Sequence, residues 1–173
     1  MITTAEDLLA FLAARGIEQR TTWHAAVFTV AEAKAARGDL PGAHTKNLFL
    51  IDRKGGSWLV VAEEDRAIDL KALRRALDAP AFSFGKPEAL RQMLGVEPGS
   101  VTPFGVVNDR AGRVTVVLDE ALMAASLLNF HPLVNTATTA ISPAGLLAFL
   151  AATAHPPRVV ALDEGAVGPG CGD

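Results

Sequence analysis

Apolar and polar positions along the chain repeat with two different periods. Leu8, Leu9 and Leu12 form one stripe within Ala5 to Arg15, and Gly16 follows as a stop, so the spacing predicts a helix. Arg20 to His24 reads as a short extended piece. Thr29 and Glu32 stand at capping-box spacing and open a short helix to about Arg37. Asp39-Leu40-Pro41-Gly42 is turn chemistry. Thr45 to Asp52 and Ser57 to Ala62 are strands, and the Gly55-Gly56 pair between them signals a hairpin. Both runs are apolar at consecutive positions (Leu48-Phe49-Leu50-Ile51 and Trp58-Leu59-Val60-Val61), the pattern of strands covered on both faces.

Beyond the hairpin, Asp69 caps an amphipathic helix to about Leu77, and Pro87 opens another that ends near Gly95. Phe104 to Asn108 and Arg113 to Leu118 read as a second hairpin around Asp109-Arg110-Ala111-Gly112. Ser126 to Phe130, Thr136 to Ile141 and Arg158 to Leu162 are further strand candidates. Ser142 and Pro143 cap and start a helix to about Thr153. Hairpins mixed with helices, without regular strand-helix alternation, predict an α+β fold. The expected architecture is a single domain over residues 1–162, with a mixed, partly closed sheet surrounded by helices. A flexible glycine-rich tail is expected over 163–173.

Composition narrows the function. The 173 residues are 50% hydrophobic and 20% charged, which excludes a disordered chain and suits one complete core. Sixteen basic against 19 acidic residues give a net charge of −3, which argues against wrapping long nucleic acid; no DNA partner is expected. A local contact with one nucleic-acid end is compatible with that charge. The single cysteine, Cys171, builds neither a disulfide framework nor a thiolate cluster. With no charged-then-apolar leader after Met1, a cytoplasmic location is expected. The longest uncharged stretch, Ala121 to Pro157, is broken by Asn129, His131, Pro132, Asn135 and Pro143, so no membrane span is expected.

HExxH, CxxC, GxSxG, Walker and GxGxxG patterns are all absent. The four histidines, His24, His44, His131 and His155, include no pair at i, i+2 or i, i+4, so neither metal nor cofactor is expected. Ser83-Phe84-Gly85-Lys86 matches SxxK, but it precedes Pro87 instead of opening a helix with its serine.

Three segments carry candidate chemistry. In Gly42 to Leu50, Lys46 and Asn47 lead directly into an apolar strand. If Leu48 and Leu50 face inward, alternation puts Lys46 on their side. An ammonium there is either a functional cation or a strand-end lysine whose stem covers apolar surface. Gly99 and Pro103 frame an uncharged loop with Ser100, Val101 and Thr102. Its N–H groups either meet a carbonyl or phosphate oxygen or belong to an ordinary turn. Phe130 to Thr138 places His131, Asn135, Thr136 and Thr138 in an apolar setting, which suits a small-ligand pocket or a side-chain-capped loop. Arg15, Arg20, Lys71, Arg74 and Arg75 are either phosphate contacts or a solvated face.

HTKNLFL, LGVEPGSVTPF and HPLVNTAT, in that order and at these separations, resemble the free-standing prolyl-tRNA editing proteins. These belong to the YbaK-like superfamily, which also contains the editing domain inserted in bacterial prolyl-tRNA synthetases. Thr22-Trp23-His24, Phe28-Thr29-Val30, Asp69-Leu70-Lys71 and Phe82-Ser83-Phe84 fit the same pattern, and the resemblance runs from about Leu8 to Leu162. One departure is Ala25-Ala26 after His24, in a loop that often carries a proline in relatives.

The resemblance implies a trans-editing hydrolase that cleaves the ester of mischarged Ala-tRNA(Pro) with water. Discrimination over a few methylenes yields only about 1–3 kcal/mol, so a synthetase pocket built for proline needs a second sieve against alanine. By position, Lys46 matches the family's essential lysine, Asn47 the alanine-specific branch, and His131 the histidine lining the aminoacyl pocket. Gly99 to Pro103 matches a GxxxP loop that helps hold the ester carbonyl or terminal adenosine. Asn135 and Thr136 lie in the NTAT run expected to touch substrate. The implied partner is a tRNA 3′ acceptor end carrying alanine, with prolyl-tRNA synthetase as a second candidate. The alternatives are a deacylase for cysteinyl- or seryl-tRNA, or a non-catalytic binder of the acceptor end or of a synthetase.

Overall fold

The computed structural model describes residues 2–38 and 40–162. The expected tail with Cys171 lies outside the described residues, as does Asp39 of the expected turn. Five helices and eight strands form along the described chain: α1 (Ala5–Ala14), β1 (Gln19–Trp23), α2 (Val30–Arg37), β2 (Ala43–Asp52), β3 (Ser57–Glu63), α3 (Leu70–Ala76), β4 (Phe82–Phe84), α4 (Pro87–Leu94), β5 (Val114–Asp119), β6 (Leu128–Phe130), β7 (Ala137–Ile141), α5 (Pro143–Ala152) and β8 (Arg158–Val160). The α+β class with a mixed sheet is as the sequence predicts. No helix among the described residues is long and apolar enough to cross a membrane.

Local chemistry sets most boundaries. Thr4 and Asp7 form a reciprocal capping box at the start of α1. Thr29 caps α2 by accepting the Glu32 N–H, while the Glu32 carboxylate accepts from the Phe28 N–H, one residue before the cap. Asp69 caps α3, and Gly95 ends α4 in the left-handed conformation. Ser142 caps α5, with Pro143 in its first turn.

The expected second hairpin does not form. Val114–Asp119 is a strand, but Pro103–Asn108 winds into a 3-10 helix. Pro103 fixes a helical φ in its first turn, and the Thr102 hydroxyl accepts from the Phe104 N–H, so this apolar run is capped as a helix. Asp109 then ties the turn to β5 through the Val114 N–H, 2.7 Å away. A further 3-10 segment, Glu120–Ala124, and the short strand β4 were not foreseen.

The sheet order is β1-β7-β6-β2-β3-β5-β8, with β4 also pairing β2. β2 and β3 are antiparallel, whereas β2–β6, β3–β5 and β5–β8 are parallel. The β2–β3 hairpin is covered on both faces. Phe49, Leu59 and Val61 join the main core with Leu8, Phe104 and Phe149, while Leu50 and Val60 pack with Leu73 and Leu77 of the α3 segment.

The pairing of β2 along one edge changes partway along the strand. Ala43 and His44 pair with β6, and Leu50 to Asp52 pair with β4. The Gly85 N–H reaches the Phe49 carbonyl. Between these two pairings no described strand continues the ladder along that edge beside Thr45 to Leu48, while β3 pairs them along the other edge. The sheet splits there, and Lys46 and Asn47 stand at the split.

Candidate active site

A pocket of about 250 Å³ opens at this split. β2 contributes His44, Thr45, Lys46 and Asn47; the loop after β1 contributes His24, Val27, Phe28 and Thr29; β6 contributes Asn129 and Phe130, His131 follows it directly, and β7 contributes Thr138. Pro98, Gly99 and Val101 close one side, and Glu64 and Ala33 complete the wall. Burial is graded: Asn129 and Phe130 are buried, Lys46, Asn47 and His131 are half-buried, and Phe28, Thr29, Pro98 and Gly99 are exposed at the rim.

Lys46, Asn47, His131 and Gly99 therefore meet in one cavity, and Val101 joins them. Alternation places Lys46 with Leu48 and Leu50 on the α3 side, and its ammonium donates to the Arg66 backbone carbonyl. Arg66 is itself held by the buried Asp119 carboxylate, 2.6 Å from its Nε, so the lysine's acceptor sits on an anchored turn. The Asn47 Oδ1 is buried without a hydrogen-bond partner. An unpaired buried amide oxygen costs about 1–3 kcal/mol, which a ligand donor would recover.

His131 Nδ1 lies 2.9 Å from the Ala137 carbonyl. A carbonyl only accepts, so Nδ1 carries the proton in the neutral ring and Nε2 is left as an acceptor. Burial pushes the His131 pKa below its ordinary 6.5; the Ala137 carbonyl opposes this and the nearby His24 adds to it. The two imidazoles stand 6.4 Å apart, centroid to centroid. His24 Nδ1 lies 2.8 Å from the Ala25 carbonyl, and its Nε2 lies 2.8 Å from Thr138 Oγ1. Three of the four histidines thus line the pocket, although no sequence spacing pairs them.

Other candidate residues stand behind the wall. Ser100, Thr102 and Pro103 are buried and do not line the pocket, Thr102 serving as a helix cap. Asn135 donates its Nδ2 to the Val27 carbonyl at 2.8 Å, and the Thr136 carbonyl accepts from the His24 N–H at 2.9 Å. Both fix the β1–α2 loop, which supplies Val27 and His24 to the pocket. His24, Val27, Phe28, His44 and Glu64 were not singled out as site residues. For His44 the signal was its place two residues before Lys46 on one strand, which puts both on one face. For His24 and Phe28 the signal was their place in Thr22-Trp23-His24 and Phe28-Thr29-Val30, which fit the family pattern; for Val27 and Glu64 the sequence carries none. Arg15 packs over the Phe11 ring at 3.5 Å and Arg75 bonds the Lys71 carbonyl, while Arg20 lines a separate cavity on the far side of Asn129 and Thr138.

The fold and this pocket define a class: residues 24–149 match the aminoacyl-tRNA editing domain, and the chain belongs to that family. Within it, the chain is 38% identical to prolyl-tRNA synthetase associated domain-containing protein 1 of Danio rerio, over 91% of this chain and 87% of that protein. It is also 38% identical to the prolyl-tRNA editing protein ProX of Acetoanaerobium sticklandii, over 69% of this chain and 73% of that one. A solved structure described as a candidate trans-editing enzyme for prolyl tRNA synthetase superposes with a TM-score of 0.72 at 25% identity, covering 92% of this chain and 96% of that one.

Proposed function

We propose that this protein is a trans-acting deacylase that removes alanine from mischarged tRNA(Pro). The observation that carries this reading is the meeting of Lys46, Asn47 and a neutral His131 in one graded pocket on an aminoacyl-tRNA editing fold. Its similarity to a prolyl-tRNA editing protein and to prolyl-tRNA synthetase associated proteins supports the choice of tRNA.

An aminoacyl ester is already activated, so the site has to orient a water and stabilise a developing oxyanion. The aminoacyl group enters toward Phe130, and the ribose remains at the rim. Asn47 Oδ1 and His131 Nε2 are acceptors suited to the substrate's α-ammonium. Lys46 keeps two N–H groups beyond its bond to the Arg66 carbonyl, and these polarise the ester carbonyl or hold the terminal phosphate. The pocket walls offer no cysteine or serine, and water assisted by the terminal ribose hydroxyl completes the reaction.

The direct test is hydrolysis of alanyl-tRNA(Pro) beside seryl-, cysteinyl- and prolyl-tRNA, with Lys46→Ala as control. Alanine release by the wild type, lost in the variant, is expected. No hydrolysis at micromolar enzyme overturns the deacylase, and preference for cysteine overturns the alanine assignment.

A further inference from the structure

The ester that this pocket would receive hangs on the same ribose that carries the terminal base. If the aminoacyl group occupies the inner end, the base must lie one sugar away, at the rim. The rim residue of most unusual character there is Phe28. It lines the pocket yet is 76% exposed. Single exposed apolar side chains are common, so exposure alone decides nothing. What sets Phe28 apart is how its backbone is held. Its own N–H donates to the Glu32 carboxylate at 2.8 Å. The preceding Val27 carbonyl accepts from Asn135 at 2.8 Å, and the following Thr29 hydroxyl accepts from the Glu32 N–H at 3.0 Å. Three side-chain bonds on consecutive residues thus fasten the segment that presents the ring. The ring edge also reaches the opposite rim: a Cβ built on Gly99 would stand 3.9 Å from Phe28 Cδ1. With Pro98 beside Gly99, the two sides of the mouth form a small apolar shelf.

We propose that Phe28 is the stacking platform for the terminal adenine of the acceptor end, an inference that rests on the deacylase reading for the direction in which substrate enters. A π-face is bound without hydrogen-bond readout, and stacking on an aromatic side chain commonly contributes about a tenfold or larger gain in affinity per base. Such a contact needs no excess of cations, which fits a chain of net charge −3.

The test compares wild type, Phe28→Ala, Phe28→Trp and Phe84→Ala on alanyl-tRNA(Pro) and on the same tRNA made abasic at its last nucleotide. Phe84 is 64% exposed and does not line the pocket, so it controls for loss of any exposed ring. Phe28→Ala is expected to lower kcat/KM about tenfold, mainly through KM. Phe28→Trp should restore it, and Phe84→Ala should leave it unchanged. On the abasic substrate, wild type and Phe28→Ala should be equal, whereas a purely structural role would slow both substrates alike. Wild-type kcat/KM in Phe28→Ala, or an undiminished defect on the abasic substrate, overturns the proposal. Calorimetric titration of wild type and Phe28→Ala with an uncharged CCA trinucleotide separates this outcome from failure of the deacylase reading. Binding that depends on Phe28 without hydrolysis retains the platform and removes the enzyme. Equal binding, or none in either protein, removes the platform.

Discussion

Gly42→Ala tests whether the seam between β2 and β6 sets the geometry of the pocket. Gly42 has φ of +102°, in the region that favours glycine. A Cβ there would stand 2.9 Å from Asn129 Nδ2, from Leu127 Cβ and from the Leu127 carbonyl oxygen. Two of these three neighbours cannot swing away, because the Leu127 carbonyl accepts the Ala43 N–H and the Asn129 amide donates to the Pro41 carbonyl. The φ strain costs about 1–3 kcal/mol, and forcing atoms into a filled space costs about 1–3 more. A total near 3 kcal/mol lowers the melting temperature by roughly 6–12 °C in a domain of this size. The functional effect follows from position. Ala43–Leu128 and His44–Asn129 are the only register pairs between β2 and β6 among the described residues. Across that short seam, β2 carries Lys46 and Asn47, while His131 follows β6 directly. Shifting one side by about 1 Å can cost a hundredfold in rate. Thermal melts followed by circular dichroism, and single-turnover deacylation of alanyl-tRNA(Pro) well below the melt, measure both effects. A variant that keeps wild-type melting and wild-type kcat/KM would show that the seam does not position the site.

Three other perturbations follow. His131 acts neutral and burial lowers its pKa, so kcat/KM should stay level as pH falls from neutrality and decline only below the ordinary value of 6.5; an acid limb centred at or above 6.5 that disappears in His131→Gln refutes this. Burial raises the Asp109 pKa, but its bonds to the Val114 N–H, His155 and Arg113 outweigh that and hold it below the usual 3.8. The stability it contributes is therefore present above pH 3.8 and lost as pH falls through the lower folded value. Asp109→Ala should cost about 3 kcal/mol at neutral pH by urea unfolding, and a cost under about 1 kcal/mol contradicts the buried pair with His155. Thr138→Val removes the hydroxyl beside His24 Nε2 and should slow deacylation about tenfold or less. A loss as complete as that of Lys46→Ala, with a burst of acyl-enzyme in wild type, would make Thr138 a nucleophile.

Elements with local punctuation were legible in the sequence. The Thr29 and Ser142 caps, Pro87 and Pro143 at helix starts, and Gly55-Gly56 between two apolar runs each fix a boundary through atoms a few residues apart. Phe104 to Asn108 reads as a strand because its apolar residues suit one, and only the Thr102 cap and the first-turn position of Pro103 tip Pro103–Asn108 to a helix. β4 has three residues and exists because β2 offers it an edge at Leu50 to Asp52, a tertiary fact with no local signature. Lys46, Asn47 and His131 were found through motif resemblance. Spacing alone left each of them balanced between site and scaffold.

The strand order accounts for the rest of the site. β2 gives one edge to β6 at its start and to β4 at its end, so the partners diverge and leave Thr45 to Leu48 without a neighbouring strand on that side. Backbone polar groups on an open edge must find other partners. The Thr45 hydroxyl already turns to the Asn129 carbonyl, 2.8 Å away, which bridges the gap at its narrow end. At the wide end Lys46 and Asn47 face a space that loops must close, and the β1–α2 loop and the Pro98–Val101 segment do so. Loop residues such as His24 and Phe28 enter the pocket because β1 pairs with β7 and aims its following loop across the gap. That aim depends on the order β1-β7-β6-β2, in which the first strand of the chain lies three places from the strand carrying Lys46. A linear reading cannot place His24 beside His131 without that order, whereas each of the two histidines is already bonded to β7 or to the loop that precedes it. β7 is thus the common support for both imidazoles, and β2 supplies the lysine and amide opposite them.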